Sequence, residues 1–88
     1  MARKNYTIPK DTWTDINTLS GIAAGTEMII QNTSIFPCLV NAFSVTPASH
    51  ENDYAILPSL QTYIMKETDK IYVRFEHHDG IVSVEVNA

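Results

Sequence analysis

Apolar and polar residues alternate in short runs along most of this chain, and proline or glycine interrupts the alternation at close intervals. The runs predict strands over residues 5–8, 12–16, 26–32, 38–46, 54–57, 62–66, 70–77 and 81–86, because period-two alternation bounded by turn formers is the signature of a half-buried strand. Val, Ile, Thr, Tyr and Phe crowd these runs, as a pleated surface prefers. Pro9, Pro37, Pro47 and Pro58 fall at their edges, where a missing N–H does least harm. Residues 17–24 predict a single helical turn, closed by Gly25.

The clearest local signal is Asp79-Gly80 between two alternating runs, which predicts a type I′ hairpin. Its register sets His78 against Ile81, Phe75 against Val84 and Val73 against Val86. Ile71, Val73, Phe75, Val82, Val84 and Val86 then share an apolar face. Tyr72, Arg74, Glu76, Ser83 and Glu85 share the wet one, with Arg74 across from Glu85. The run 38–46 is apolar on both sides: Leu39, Phe43 and Val45 on one, Cys38, Val40 and Ala42 on the other, with Asn41 the polar exception. Such a strand is central in its sheet or lies beneath an interface. In 26–32, Met28 and Ile30 face one way and Glu27, Ile29 and Gln31 the other. Seven or eight short strands joined by tight turns predict an all-β fold: a small antiparallel β-sandwich, jelly-roll-like, with at most one helical turn.

Length limits the chain to one domain, expected over residues 11–88, behind an N-terminal arm at 1–10. A chain of 9.9 kDa buries roughly 64% of its unfolded surface. That is modest, and it makes association with a partner worthwhile. The net charge is −4, which disfavours nucleic acid as a partner, and no apolar run approaches a membrane span. Charge is unevenly placed. Arg3, Lys4 and Lys10 sit in the first ten residues, leaving three cations and ten acids, a net of −7, for the rest. A basic arm of that kind suits an acidic neighbour. The N-terminus lacks a hydrophobic leader, so synthesis and folding in a cytoplasm are expected.

Candidate chemistry thins out under inspection. His77, His78 and Asp79, with His50, Glu51 and Asp53, are the best metal-ligand types, but adjacent histidines on a strand point to opposite faces. The single cysteine, Cys38, lies in an apolar run that raises a thiol pKa and suits a buried hydrophobe. Asp11/Asp15 and Glu67/Asp69 read as turn-edge carboxylates, and no nucleophile elbow or phosphate loop occurs. The expectation is a non-enzyme with no catalytic, cofactor-binding or metal-binding residues. Trp13, Tyr6, Tyr54, Tyr63 and Tyr72 raise sugar stacking as an alternative, against Trp13 closing one end of the core. Tyr72 beside Arg74 on an outer face has the composition of an interface anchor. The expected interface residues are Arg3, Lys4, Tyr6, Lys10, Tyr72 and Arg74.

A Trp-Thr-Asp-Ile strand leads through Gly-Ile-Ala-Ala-Gly to Thr-Glu-Met-Ile-Ile-Gln-Asn, and then to Leu39-Val40-Asn41-Ala42 and a Pro-Ala-Ser loop at 47–49. Ile56-Leu57-Pro58, Tyr63-Ile64-Met65, Lys70-Ile71-Tyr72-Val73-Arg74 and Gly80-Ile81-Val82-Ser83-Val84-Glu85-Val86 follow. This order, over residues 12–86, resembles a group of small all-β virion proteins of tailed bacteriophages. The resemblance implies a head decoration or accessory subunit, made in the bacterial cytoplasm and resident on the virion. Its expected partners are further copies of itself, with a trimer as one assembly, and other virion proteins such as the major capsid protein. The alternative is a carbohydrate-binding module of a tail tip or fibre.

Overall fold

A computed structural model of the chain describes residues 3–48 and 51–87. Among the described residues eight strands form: β1 (Lys4–Ile8), β2 (Thr14–Asp15), β3 (Met28–Asn32), β4 (Cys38–Phe43), β5 (Ala55–Leu57), β6 (Thr62–Met65), β7 (Lys70–Arg74) and β8 (Gly80–Val86). One sheet has the order β1-β8-β3-β6 and the other β2-β7-β4-β5, with every pairing antiparallel. First pairs with last and the rest nest inward, β2 with β7, β3 with β6, β4 with β5. That is the strand order of a jelly roll, two sheets wound from one long folded hairpin. The expected all-β sandwich is therefore the fold, and the jelly-roll topology is its specific form.

Alternation decides which residues meet between the sheets. Met28 and Ile30 of β3, Cys38 and Val40 of β4, Ile71 and Val73 of β7, and Val82 and Val84 of β8 are buried together with Ile8, Ile16, Leu57 and Phe75. The apolar face expected for the C-terminal runs is thus the core face, Val86 lying half-buried at its end. β4 lies between β7 and β5, as its two-sided apolar pattern requires.

The Asp79-Gly80 hairpin does not form. β7 and β8 belong to different sheets, so Phe75 does not oppose Val84 nor Arg74 Glu85; Arg74 instead faces Leu39 of β4. In a jelly roll these two strands lie across the sandwich from each other. Both arrangements bury the same alternate residues, which is why the pattern alone did not separate them. The connection takes its positive φ at His77 (φ 67), not at Gly80, which already pairs with Ile8. It is tied to the β1–β2 corner by three hydrogen bonds: Asp11 N to Phe75 O (2.7 Å), His77 N to Asp11 Oδ1 (3.1 Å) and Lys10 N to Asp79 Oδ1 (2.8 Å). Gly80 is required for a different reason. The Phe75 ring lies against its Cα, and any Cβ there would overlap the ring.

The helical turn α1 spans Ile16–Ser20. Asp15 caps it, accepting from Thr18 N (3.0 Å) and Thr18 Oγ (2.8 Å). It ends at Gly21 (φ 78), whose N–H bonds Asn17 O at 2.9 Å, rather than at Gly25. Gly21 is the first position able to take the left-handed cap cheaply. Gly25 (φ 89) serves the next turn, donating to Glu67 O at 2.7 Å.

Two buried asparagines tie loops to strands. Asn32, fully buried, donates to Phe36 O (2.7 Å) and Leu57 O (3.1 Å) and accepts from Ser34 N (2.9 Å). Asn17 donates to Ile22 O (2.9 Å) and accepts from Ile71 N (2.7 Å).

Candidate functional site

Residues 3–10 are not an arm outside the domain. Lys4–Ile8 form edge strand β1 along β8, and Ile8 is fully buried in the core. Arg3 extends this edge, its guanidinium donating to Gln31 Oε1 (3.0 Å) and pairing with Glu85 (3.2 Å). Lys4 is exposed, Tyr6 packs half-buried against the core, and Lys10 is exposed at the following corner.

Tyr72 is not an exposed anchor. It does lie on the outer face of its sheet, but that face carries a second apolar cluster of Trp13, Leu39 and Tyr72, with Phe43 against it. Trp13 meets Phe43 edge-on (5.5 Å, 70°), and Phe43 meets Tyr72 likewise (6.0 Å, 64°). The chain after β4 folds back over them: Thr46 Oγ lies 3.1 Å from Tyr72 OH, and Asn41 Nδ2 donates to Asp53 O at 2.8 Å. Trp13 therefore belongs to this outer cluster and does not close an end of the main core. Arg74, largely covered, reaches Asp11 Oδ1 at 3.4 Å instead of Glu85. The six expected interface residues are thus split. Arg3, Lys4 and Tyr6 share one sheet edge, Lys10 lies at the corner beyond it, and Tyr72 and Arg74 sit on the outer face of the other sheet.

Beside the outer cluster opens a cleft of about 340 Å³ lined by Phe36, Leu39, Tyr54, Ile56, Glu76, His77 and His78. His78 stacks flat on Phe36, with ring centroids 3.9 Å apart and 7° between planes. Among the described residues, no three His, Cys, Asp or Glu side chains converge as a metal site would need; His50 lies outside them. Cys38 is fully buried, and desolvation pushes its thiol pKa up to about 12, far from a nucleophile's range. The Asp11 carboxyl is held below its ordinary value, chiefly by the His77 N–H. Partial burial pulls the Asp15 carboxyl upward, but the Thr18 amide and hydroxyl with Lys70 (3.4 Å) outweigh it and hold it low. Both carboxylates serve corners of the fold.

One long side of the sandwich is where the sheets end in β5 and β6. There Ile56 is 56% exposed and Ile64 61%, with Leu60 (66%) in the turn between. Sequence reasoning did not single out these three, because an exposed isoleucine looks the same as a core one until the edge strands are known. The opposite side ends in β1 and β2 and carries α1 between them. Comparison with known protein families, with characterised proteins and with solved structures found no match.

Proposed function

We propose that this chain is a non-enzymatic structural subunit of a bacteriophage virion, a capsid decoration or accessory protein that self-associates and docks on other virion proteins. The observation that carries the assembly half is the exposure of large apolar side chains at the β5 and β6 edges of a domain this small: Ile64 on the outer face of β6, Leu60 in the turn before it and Ile56 on the outer face of β5. Burying such side chains against a neighbour is favourable by roughly 25 cal/mol per Å² of apolar surface. The virion half is supported by the resemblance over residues 12–86 and by the jelly-roll topology, an architecture recurrent in viral capsid domains. Fold alone does not fix function, so the tests address assembly and location separately.

Multi-angle light scattering on the purified chain at tens of micromolar reads the first, with a discrete oligomer expected; a strict monomer overturns self-association. Sedimentation with phage heads lacking the protein reads the second, with saturable binding expected and no binding refuting it. The carbohydrate-binding reading keeps one specific support, the Tyr54–His78 cleft, since Trp13 is buried. Glycan binding lost on Tyr54→Ala, with the fold intact, would favour it.

A further inference from the structure

We propose that copies join head to tail through sheet edges, β6 of one chain adding to β1 of the next, so that the β1-β8-β3-β6 sheet runs on between subunits. This rests on the self-association proposed above and names its surface and register.

Both strands are unpaired edges of the same sheet, each hydrogen-bonded on one side only. Direction along the sheet alternates from β1 through β8 and β3 to β6, so a following β1 continues the antiparallel order. Facing fixes half of the registers. Tyr6 and Ile8 point into the core from β1, and Tyr63 and Met65 pack on it from β6. A continuous pleat must set core-facing residues opposite one another.

Charge selects among what remains. Setting Tyr6 against Met65 and Ile8 against Tyr63 brings Thr7 to Ile64 and Lys4 to Glu67. Glu67 continues the β6 ladder, since its carbonyl accepts from Gly25 N beside β3. Lys4 and Glu67 are both exposed. A shift of two residues one way sets Arg3 against Lys66; the other way sets half-buried Tyr6 against the exposed Glu67 and half-buried Tyr63 against the exposed Lys10. One register therefore satisfies facing and charge together. It also lays the exposed Ile64 beside Thr7, which shares a cleft of about 500 Å³ with Thr18 and Leu19 of α1. Because the two surfaces differ, the contact is heterologous: it builds a ring if the rotation between copies closes and an open filament if it does not, rather than a two-fold dimer.

Cysteine crosslinking tests the register, since antiparallel neighbours stand about 4.5–5.5 Å apart at Cα, within disulfide reach. Native Cys38 is buried and stays silent. The double variant Thr7→Cys/Ile64→Cys should give a ladder of covalent multimers on mild oxidation, and each single variant none. In parallel, Lys4→Glu and Glu67→Lys should each weaken assembly about tenfold, and the double reversal should restore it. Dimers from Ile64→Cys alone would mean a two-fold β6–β6 contact and overturn the proposal. An oligomer by light scattering without crosslinks or charge rescue would overturn this edge while sparing self-association. A monomeric parent chain would overturn both.

Discussion

Replacing Gly80 by alanine separates two explanations of the same glycine. In a type I′ turn its role would be positive φ; here its backbone lies outside the left-handed region, and the obstacle to a side chain is the Phe75 ring. The added methyl would overlap Cδ1, Cε1 and Cζ at once, and Phe75 is fully buried against its neighbours, so the ring cannot swing away. Overpacking of this kind costs about 1–3 kcal/mol. Against it stands a gain of about 0.4–1 kcal/mol from stiffening the unfolded chain, available because alanine tolerates this φ. The net expectation is a loss of about 1–2 kcal/mol, or roughly 5–15 °C in Tm for a domain of this size.

The discriminating measurement is a double-mutant cycle with Phe75→Leu, read by urea denaturation. Shrinking the ring opens room at Gly80, so the Gly80→Ala penalty should fall by at least about 1 kcal/mol in the leucine background. A glycine needed for its φ would be indifferent to Phe75. Additivity within about 0.5 kcal/mol, or a stabilising Gly80→Ala alone, would refute the steric account.

Three further outcomes follow from the same physical reasoning. Asn32→Ala strips partners from Phe36 O, Leu57 O and Ser34 N, and should cost about 2–4 kcal/mol in chemical denaturation; a loss under about 0.5 would show the carboxamide to be dispensable. Asp15 has its pKa held below the ordinary 3.8 in the folded chain, so its stabilisation is complete above that value and fades as pH falls through the folded pKa. Asp15→Asn should therefore flatten the stability–pH curve below about pH 4, and an unchanged acid limb would contradict the cap and ion pair. Cys38, with its thiol pushed up to about 12, should resist aromatic disulfide reagents at pH 8 until the chain opens; rapid labelling of the native chain would contradict its burial.

Much of the fold was legible because period-two alternation reports facing directly. Met28 and Ile30, Cys38 and Val40, and Ile71, Val73 and Phe75 all went to the face their spacing indicated. Pairing was less legible, since it is non-local. Asp79-Gly80 carries the local chemistry of a hairpin, but the preceding His77 takes the left-handed residue and swings the chain to the other sheet. Tyr72 shows the second limit. Its outward direction was readable, whereas its burial depends on Thr46 and Asp53 returning from a loop. Arg3, Lys4 and Lys10 give the N-terminus the charge of a solvated arm, whereas the alternation of Tyr6 and Ile8 between them marks Lys4–Ile8 as strand β1.

Those corrections change which surfaces are free to assemble. Had Tyr72 and Arg74 been exposed, the flat face of β2-β7-β4-β5 would have been the natural contact. With Tyr72 covered by the chain after β4, the apolar side chains left to a neighbour are Ile64 on the outer face of β6, Leu60 in the turn before it and Ile56 on the outer face of β5. Making Lys4–Ile8 a strand moves the basic charge from a tether to the opposite edge of the sheet that β6 also bounds. β1, beside which α1 lies, and β6 each pair on one side only, and an unpaired strand edge is a liability that proteins usually blunt. In the proposed register Lys4 meets Glu67 and Tyr6 meets Met65, so the feature that threatens uncontrolled pairing would become a specified contact.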